Sequence, residues 1–375
     1  MLQQGRRAQL AIVALFFTLL AVPHVDELSK RASSAPSSEK RGMAKMPDRS
    51  LFLSSFSQYT RQVERYYNDA FGFRNSLIGW NNWLRLVIFN ESAVPATRVG
   101  REGWLFYAGE WVLEDYENVM PLKSEEMDAI MRGIEKRRSW LAARGIDLVI
   151  VAVPEKHTIY GEYLPPGIRK LGSESRLDQL ARELKDHPEI TFIDSRDTLL
   201  KAKPVGRLYH RTDSHWNDLG AYFAHRLLME RLVQRFPAVS VHGLEDYTVT
   251  TTVGGGGDLA GLLSLRDVIH EERIALVPKF TPRTVDTVRP YPDPVDPTLY
   301  PGRDMVVKET RDPALPKALV FRDSFSAALI PFLAESFQSA VFVWTFDWLP
   351  ELVEQEKPDV VVIECVERYL TGLSR

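Results

Sequence analysis

The feature that most restricts the fold is a set of short, nearly unbroken apolar runs: DLVIVAVP (147–154), KALVFRD (317–323), SAVFVWT (339–345) and DVVVIEC (359–365). A strand with one wet face alternates apolar and polar residues. These runs do not, which predicts strands buried on both faces, as in a parallel sheet. ITFIDS (190–195) reads as a further strand. Segments with helical periodicity lie between them. One covers about 124–143, with Ser124 expected as N-cap, Glu126 in the first turn and Gly145 just past the end. Others cover about 173–186, 325–336 and 349–356, and a long one carries the stripe Leu219, Tyr222, Phe223, Leu227, Leu232 and Phe236. Strands and helices in this order predict an α/β fold with a central, mostly parallel sheet covered on both faces.

Two stretches depart from the rhythm. Residues 240–316 hold Gly254–Gly257 in a row and nine of the 23 prolines, with the β-rich fragments TVTTTV and RIALV. They read as an insertion of short strands and long loops, placed either to build a substrate-binding rim or as a tolerated surface excursion. At the other end, Arg6-Arg7 precede an apolar run, LAIVALFFTLLAVP, from Leu10 to Pro23. That run is shorter than the roughly 20 residues of a membrane span and suits the apolar core of an export signal, cleaved or kept as an anchor (1–23). A polar, basic, Ser- and Ala-rich tether (24–50) follows. The main domain is expected over 51–375. It opens with two amphipathic helices, carrying Tyr59, Val63, Tyr66, Tyr67 and then Leu77, Trp80, Trp83, Leu84, with a break at Gly72. GREGWLFY (100–107) reads as a turn entering a short strand.

Composition excludes several classes. The charges, 47 basic against 50 acidic, sum to −3, and no segment is basic enough for nucleic acid. One cysteine, Cys365, excludes an intramolecular disulfide and a cysteine-based zinc site.

Chemistry concentrates in two places. Ser324 follows the strand KALVFRD and precedes a helix, where a hydroxyl would project from the carboxyl edge of the sheet beside helix N–H groups. The competing reading is that Asp323 or Ser324 caps that helix. A serine nucleophile needs a base, and the base an orienting carboxylate. Tyr209-His210-Arg211-Thr212-Asp213-Ser214-His215-Trp216-Asn217 offers both in Asp213 and His215. Two alternatives stay open there: Asp213 as a helix N-cap, and a metal held by His210, Asp213 and His215. His157, in PEKHTIY, is the other histidine near a strand's carboxyl end.

Five passages carry a resemblance: YYNDAFGFRNSLI (66–78), VGREGWLFY (99–107), VPEKHTIYGEYLP (153–165), YHRTDSHWNDLGA (209–221) and FRDSFS (321–326). In this order they resemble the AlgJ/AlgX-like, DHHW-type polysaccharide O-acetylation family, over roughly residues 60–375. The resemblance implies a three-layer α/β/α fold of the SGNH-hydrolase-like kind, in a permuted order with the serine last. It implies a triad of Asp213, His215 and Ser324 and no cofactor or metal. Arg322, Asp323, Trp216 and Tyr209 are the neighbouring candidates for oxyanion or substrate contacts. Arg322 stands where many SGNH-type sequences have glycine. The implied activity is O-acetyl transfer to an exported polysaccharide, alginate-like or another exopolysaccharide, through an acetyl-serine in the periplasm. The implied partners are the polysaccharide acceptor, a multi-pass membrane O-acyltransferase delivering the acetyl donor, and other exopolysaccharide-assembly proteins. An acetylesterase with the same triad and a non-catalytic polysaccharide-binding factor are the alternatives.

Overall fold

In this computed structural model the chain forms eleven strands among the described residues, which are 10, 12–18, 44–70, 73–289, 305–310 and 312–375. They are β1 (Thr97–Val99), β2 (Leu105–Tyr107), β3 (Asp147–Val153), β4 (Thr191–Asp194), β5 (Tyr247–Gly255), β6 (His270–Pro278), β7 (Val285–Arg289), β8 (Met305–Glu309), β9 (Lys317–Phe321), β10 (Ser339–Val343) and β11 (Val360–Val366). Contacts divide the chain into two compact units, Met1–Val94 with Gly261–Arg266, and Pro95–Ala260 with Asp267–Arg375.

The larger unit is built on a seven-stranded sheet in the order β4-β3-β11-β9-β10-β8-β7. All five apolar runs named from the sequence are in it. Their four pairings, β4 with β3, β3 with β11, β11 with β9 and β9 with β10, are parallel. Alternate side chains of each strand enter different cores, as the pleat requires. Val149, Val151, Val153, Val320, Phe342 and Val362 pack with the helices Asp218–Arg235 and Ser326–Ala334. Leu148, Ile150, Leu319, Val341 and Ile363 pack with Ser124–Ala142, Arg176–Leu184 and Pro350–Glu356. This is the three-layer α/β/α arrangement, and it explains why these strands carry no polar face.

Local chemistry sets the helix ends. Asn217 caps the Asp218–Arg235 helix, its Oδ1 accepting the N–H groups of Leu219 at 3.0 Å and Gly220 at 3.2 Å. Ser175 and Asp178 form a reciprocal capping box on Arg176–Leu184. One expectation is corrected here. The N-cap before Ser124–Ala142 is Lys123, and Ser124 is already helical. The Glu126 carboxylate reaches back to accept the Lys123 N–H at 2.9 Å, the glutamate half of a capping box.

The 240–316 segment is less separate than its composition suggests. TVTTTV and RIALV form the antiparallel hairpin β5–β6. The later part adds two strands to the main sheet, β8 pairing with β10 and β7 with β8, both antiparallel. Met305 and Val307 are buried in the core. Residues 290–304, with the prolines from Pro290 to Pro301, lie outside the described residues.

In the smaller unit the expected helices are Phe56–Ala70 and Arg74–Leu84, the second running on into a π-type turn, Arg85–Phe89. The anticipated break, Gly72, lies outside the described residues, as does most of the N-terminal run and tether. No helix among the described residues is long and apolar enough to cross a membrane.

Candidate active site

The parallel strands β3, β9 and β11 end side by side; the loop leaving β9 holds Ser324, and the 209–217 loop, which precedes the Asp218–Arg235 helix, holds Asp213 and His215. Such carboxyl edges are where ligands bind in α/β sheets. The 209–217 loop folds as a tight turn, closed by an antiparallel bridge between Tyr209 and Trp216 and by the His210 N–H donating to His215 O at 3.2 Å. Within it, Asp213 Oδ1 accepts the His215 backbone N–H at 3.0 Å and faces ring Nδ1 at 2.7 Å. The other ring nitrogen, Nε2, lies 2.7 Å from Ser324 Oγ. Carboxylate, imidazole and hydroxyl therefore stand in one line, in the geometry by which a base activates a serine.

Four residues that sequence reasoning had not singled out shape this loop. Lys156, fully buried after β3, donates its Nζ to the carbonyls of Asp213 at 2.6 Å and of His210 and Arg211 at 3.2 Å each. Burial pushes its pKa down to about 8, against the pull of Asp213 and its neighbours. Glu271, on β6, accepts the N–H groups of Arg211 and Thr212 and the Thr212 hydroxyl. Gly257 and Asp258 close the turn from the insertion. The Gly257 N–H donates to Thr212 Oγ1 at 2.8 Å, and the Asp258 N–H to Asp213 Oδ2 at 2.8 Å. A Cβ at Gly257 would sit 2.3 Å from that of Asp213, so only glycine lets the two backbones approach this closely. A lysine after a strand and an acidic residue after a glycine run were the available signals. Neither says which loop it will meet, because both contacts span more than forty residues.

The serine is oriented separately. Asp323, buried, accepts the Phe325 N–H on Oδ1 and the Val366 N–H on Oδ2, both at 2.8 Å, tying the β9 elbow to the end of β11. Glu364 accepts from Ser326 Oγ at 2.6 Å. Burial pushes both carboxyl groups up in pKa. Replacing Asp323 with alanine leaves two buried N–H donors without acceptors, at about 1–3 kcal/mol each. Denaturant unfolding of Asp323→Ala should show a loss of about 2–5 kcal/mol, and a loss below about 1 kcal/mol would show that this cluster does not hold the elbow.

Of the candidate site residues, the structure brings Asp213, His215 and Ser324 together and sets the other four in the supporting frame. Tyr209, Trp216, Arg322 and Asp323 are all buried. The Tyr209 hydroxyl donates to Pro154 O, and Trp216 Nε1 donates to Phe325 O at 2.8 Å, binding the histidine loop to the serine elbow. The Arg322 guanidinium lies over the Trp344 ring and donates to Asp323 O at 3.0 Å. None of the four side chains is placed for oxyanion or substrate contact. His157 is fully buried between the Phe106 and Tyr116 rings, and burial pushes its pKa down to about 3, so it stays neutral.

Neither alternative reading of Asp213 fits. Asn217 is the helix cap. The third group gathered beside Asp213 and His215 is Asp258, not His210. Asp258 lies 3.6 Å from Nδ1 and accepts the Ser214 N–H at 2.7 Å and the Ser214 hydroxyl at 2.5 Å. Both carboxylates are thus engaged by protein donors, which suits orientation of an imidazole better than a cation. Burial works against a charged His215, yet the hydrogen bond and charge of Asp213, with Asp258 adding, raise its pKa above the ordinary value. Burial likewise opposes ionised Asp213, and the His215 partnership outweighs it, holding that carboxyl well below its usual range.

The chain is similar to several known proteins. The probable alginate O-acetylase AlgJ of Pseudomonas aeruginosa is 26% identical over 238 residues, covering 61% of this chain and 56% of that protein. The chain thus spans about half the length of the curated relatives it matches. Among solved structures, Bacillus cereus PatB1 superposes with a TM-score of 0.55 at 16% identity, covering 73% of this chain and 97% of that one. A DHHW family protein from Eubacterium siraeum gives 0.51 at 18% identity, covering 68% and 89%. Both show the fold. The model of the SGNH hydrolase-like domain of the acetyltransferase AlgX matches residues 97–301, more than half of the chain, taking in Asp213 and His215 and ending before Ser324. The chain belongs to this AlgX-type family of SGNH hydrolase-like domains.

Proposed function

We propose that the protein transfers O-acetyl groups to an exported polysaccharide by way of an acetyl-Ser324 intermediate. The observation that carries this reading is His215, whose ring stands 2.7 Å from Ser324 Oγ on one side and 2.7 Å from Asp213 on the other. Nε2 takes the hydroxyl proton as Oγ attacks the acetyl carbonyl carbon. The donor's leaving group departs with that proton, and acetyl-Ser324 remains. A sugar hydroxyl then gives its proton to Nε2 and attacks the same carbonyl. Ser324 Oγ leaves and takes the proton back.

Each step passes through an oxyanion that needs N–H donors. Among the described residues no acceptor engages the Ser324 N–H, and the helix Ser326–Ala334 begins just beyond it, its positive end favouring the developing charge. Family membership and the AlgJ relatives support acetyl transfer in the setting of alginate or a similar polymer. The export-like N-terminal run supports the periplasm as its location, and in this reading a membrane O-acyltransferase is the source of acetyl groups.

The test is to incubate the full chain with an activated acetyl ester and oligosaccharides of alginate, cellulose and related polymers. Transfer predicts an oligosaccharide heavier by one acetyl group, formed in competition with water at about 55 M, which requires a bound and oriented hydroxyl. Acetate release with no acetylated sugar for any oligomer would replace transfer with esterase activity.

A further inference from the structure

The smaller unit carries a helix whose large apolar side chains are exposed. Around Arg74–Leu84 and its continuation Arg85–Phe89, the side chains of Leu77, Trp80, Trp83, Leu84, Val87 and Ile88 recur at helical spacing and are all exposed, Trp80 at 63% and Ile88 at 62%. A polar and a small residue are among those turned inward, while Ser76, Asn81 and Arg85 are exposed with the stripe. Asn82 is buried and donates Nδ2 to Leu263 O at 2.7 Å, and a Cβ on Gly79 would stand 3.2 Å from Ser264 O. A helix of a water-soluble surface does the reverse.

Three further observations say what covers this stripe. First, residues 73–90 contain Arg74 and Arg85 and no Asp or Glu, so nothing in the segment repels a negative surface. Second, the stripe includes a Trp pair, with rings 5.7 Å apart, and Trp is the side chain enriched where hydrocarbon meets headgroups. Third, the apolar run Leu10–Pro23 is 14 residues long. As a helix it would reach about 21 Å against a hydrocarbon core of about 30 Å. Its described residues, among them Leu10, Ile12, Phe16 and Phe17, are exposed as well. One marginal apolar anchor gives reversible attachment, and stable attachment needs a second.

We propose that the Arg74–Phe89 helix is that second anchor, lying in the surface of an anionic phospholipid bilayer with the Leu77–Ile88 stripe among the acyl chains. The inference stands independently of acetyl transfer.

The chain's one cysteine, Cys365, is buried, so a single added thiol can be labelled selectively. An environment-sensitive dye on Val87→Cys of the full chain should shift to the blue with vesicles of phosphatidylglycerol and phosphatidylethanolamine, and much less with phosphatidylcholine alone. The same dye on Gln355→Cys, at an exposed position of the Pro350–Glu356 helix in the larger unit, should not respond. Trp80→Ser with Ile88→Ser, checked for folding by thermal midpoint, should weaken vesicle pelleting of the full chain about tenfold or more. The proposal is overturned if the Val87 dye stays water-like on chains that pellet with vesicles, since the N-terminal run then acts alone. It is overturned too if the dye shifts without lipid as protein concentration rises, which would assign the stripe to a second copy.

Discussion

Replacing Ser324 with alanine should slow cleavage of an activated acetyl ester by about a thousandfold or more and remove the acetylated enzyme from intact-mass spectra. The size of the effect follows from the arrangement. With Oγ gone, His215 Nε2 has no nucleophile to deprotonate, although the fold, the histidine loop and the Ser324 N–H are unchanged. What is left is catalysis by binding and polarisation alone. A second hydroxyl provides the internal comparison. Ser214 Oγ lies 3.2 Å from the other ring nitrogen, Nδ1, but already donates to Asp258 at 2.5 Å. Ser214→Ala should therefore leave the acetyl-enzyme intact. If Ser324→Ala retained more than about a tenth of the rate, the nucleophile would have to be sought elsewhere.

The two kinds of information in the sequence behave differently at this site. The strands β3, β9, β10 and β11 were legible because burial on both faces forces an unbroken apolar run, which few other structures tolerate. Asp213, His215 and Ser324 stood out as candidates because their chemistry is local, a carboxylate two residues from an imidazole and a serine at a strand-to-helix elbow, and the family resemblance joined them into one set. Lys156, Glu271, Gly257 and Asp258 act through contacts with a loop distant in sequence, so no pattern around them announces their partner. Arg322, Asp323, Trp216 and Tyr209 were close in sequence to the reactive groups, yet burial turned each into part of the frame. β8 was missed for a third reason. Met305–Glu309 is short, mixed in polarity and set among prolines, and only the neighbouring β10 makes it a strand.

Asp213→Asn should lower turnover by about four orders of magnitude with little effect on folding. The carboxylate fixes Nδ1 as the protonated nitrogen and so leaves Nε2 free to accept the Ser324 proton. An amide can instead point its NH2 at Nδ1, stabilising the tautomer with the proton on Nε2, which cannot act as base. The pH dependence separates this from simple loss of structure. Only neutral His215 is a base, so wild-type activity should be lost as pH falls through a value above the ordinary histidine pKa of about 6.5. Removing a negative charge beside the ring destabilises the imidazolium, and the acidic limb must then move to lower pH. Asp258→Asn should give the same direction of shift with a much smaller fall in the plateau, because its carboxylate is 3.6 Å from Nδ1 where that of Asp213 is 2.7 Å. Rate profiles between about pH 5 and 9 decide the matter, spanning the range in which a histidine titrates. An acidic limb that stays in place in both variants would show that His215 is not the group whose ionisation governs the reaction.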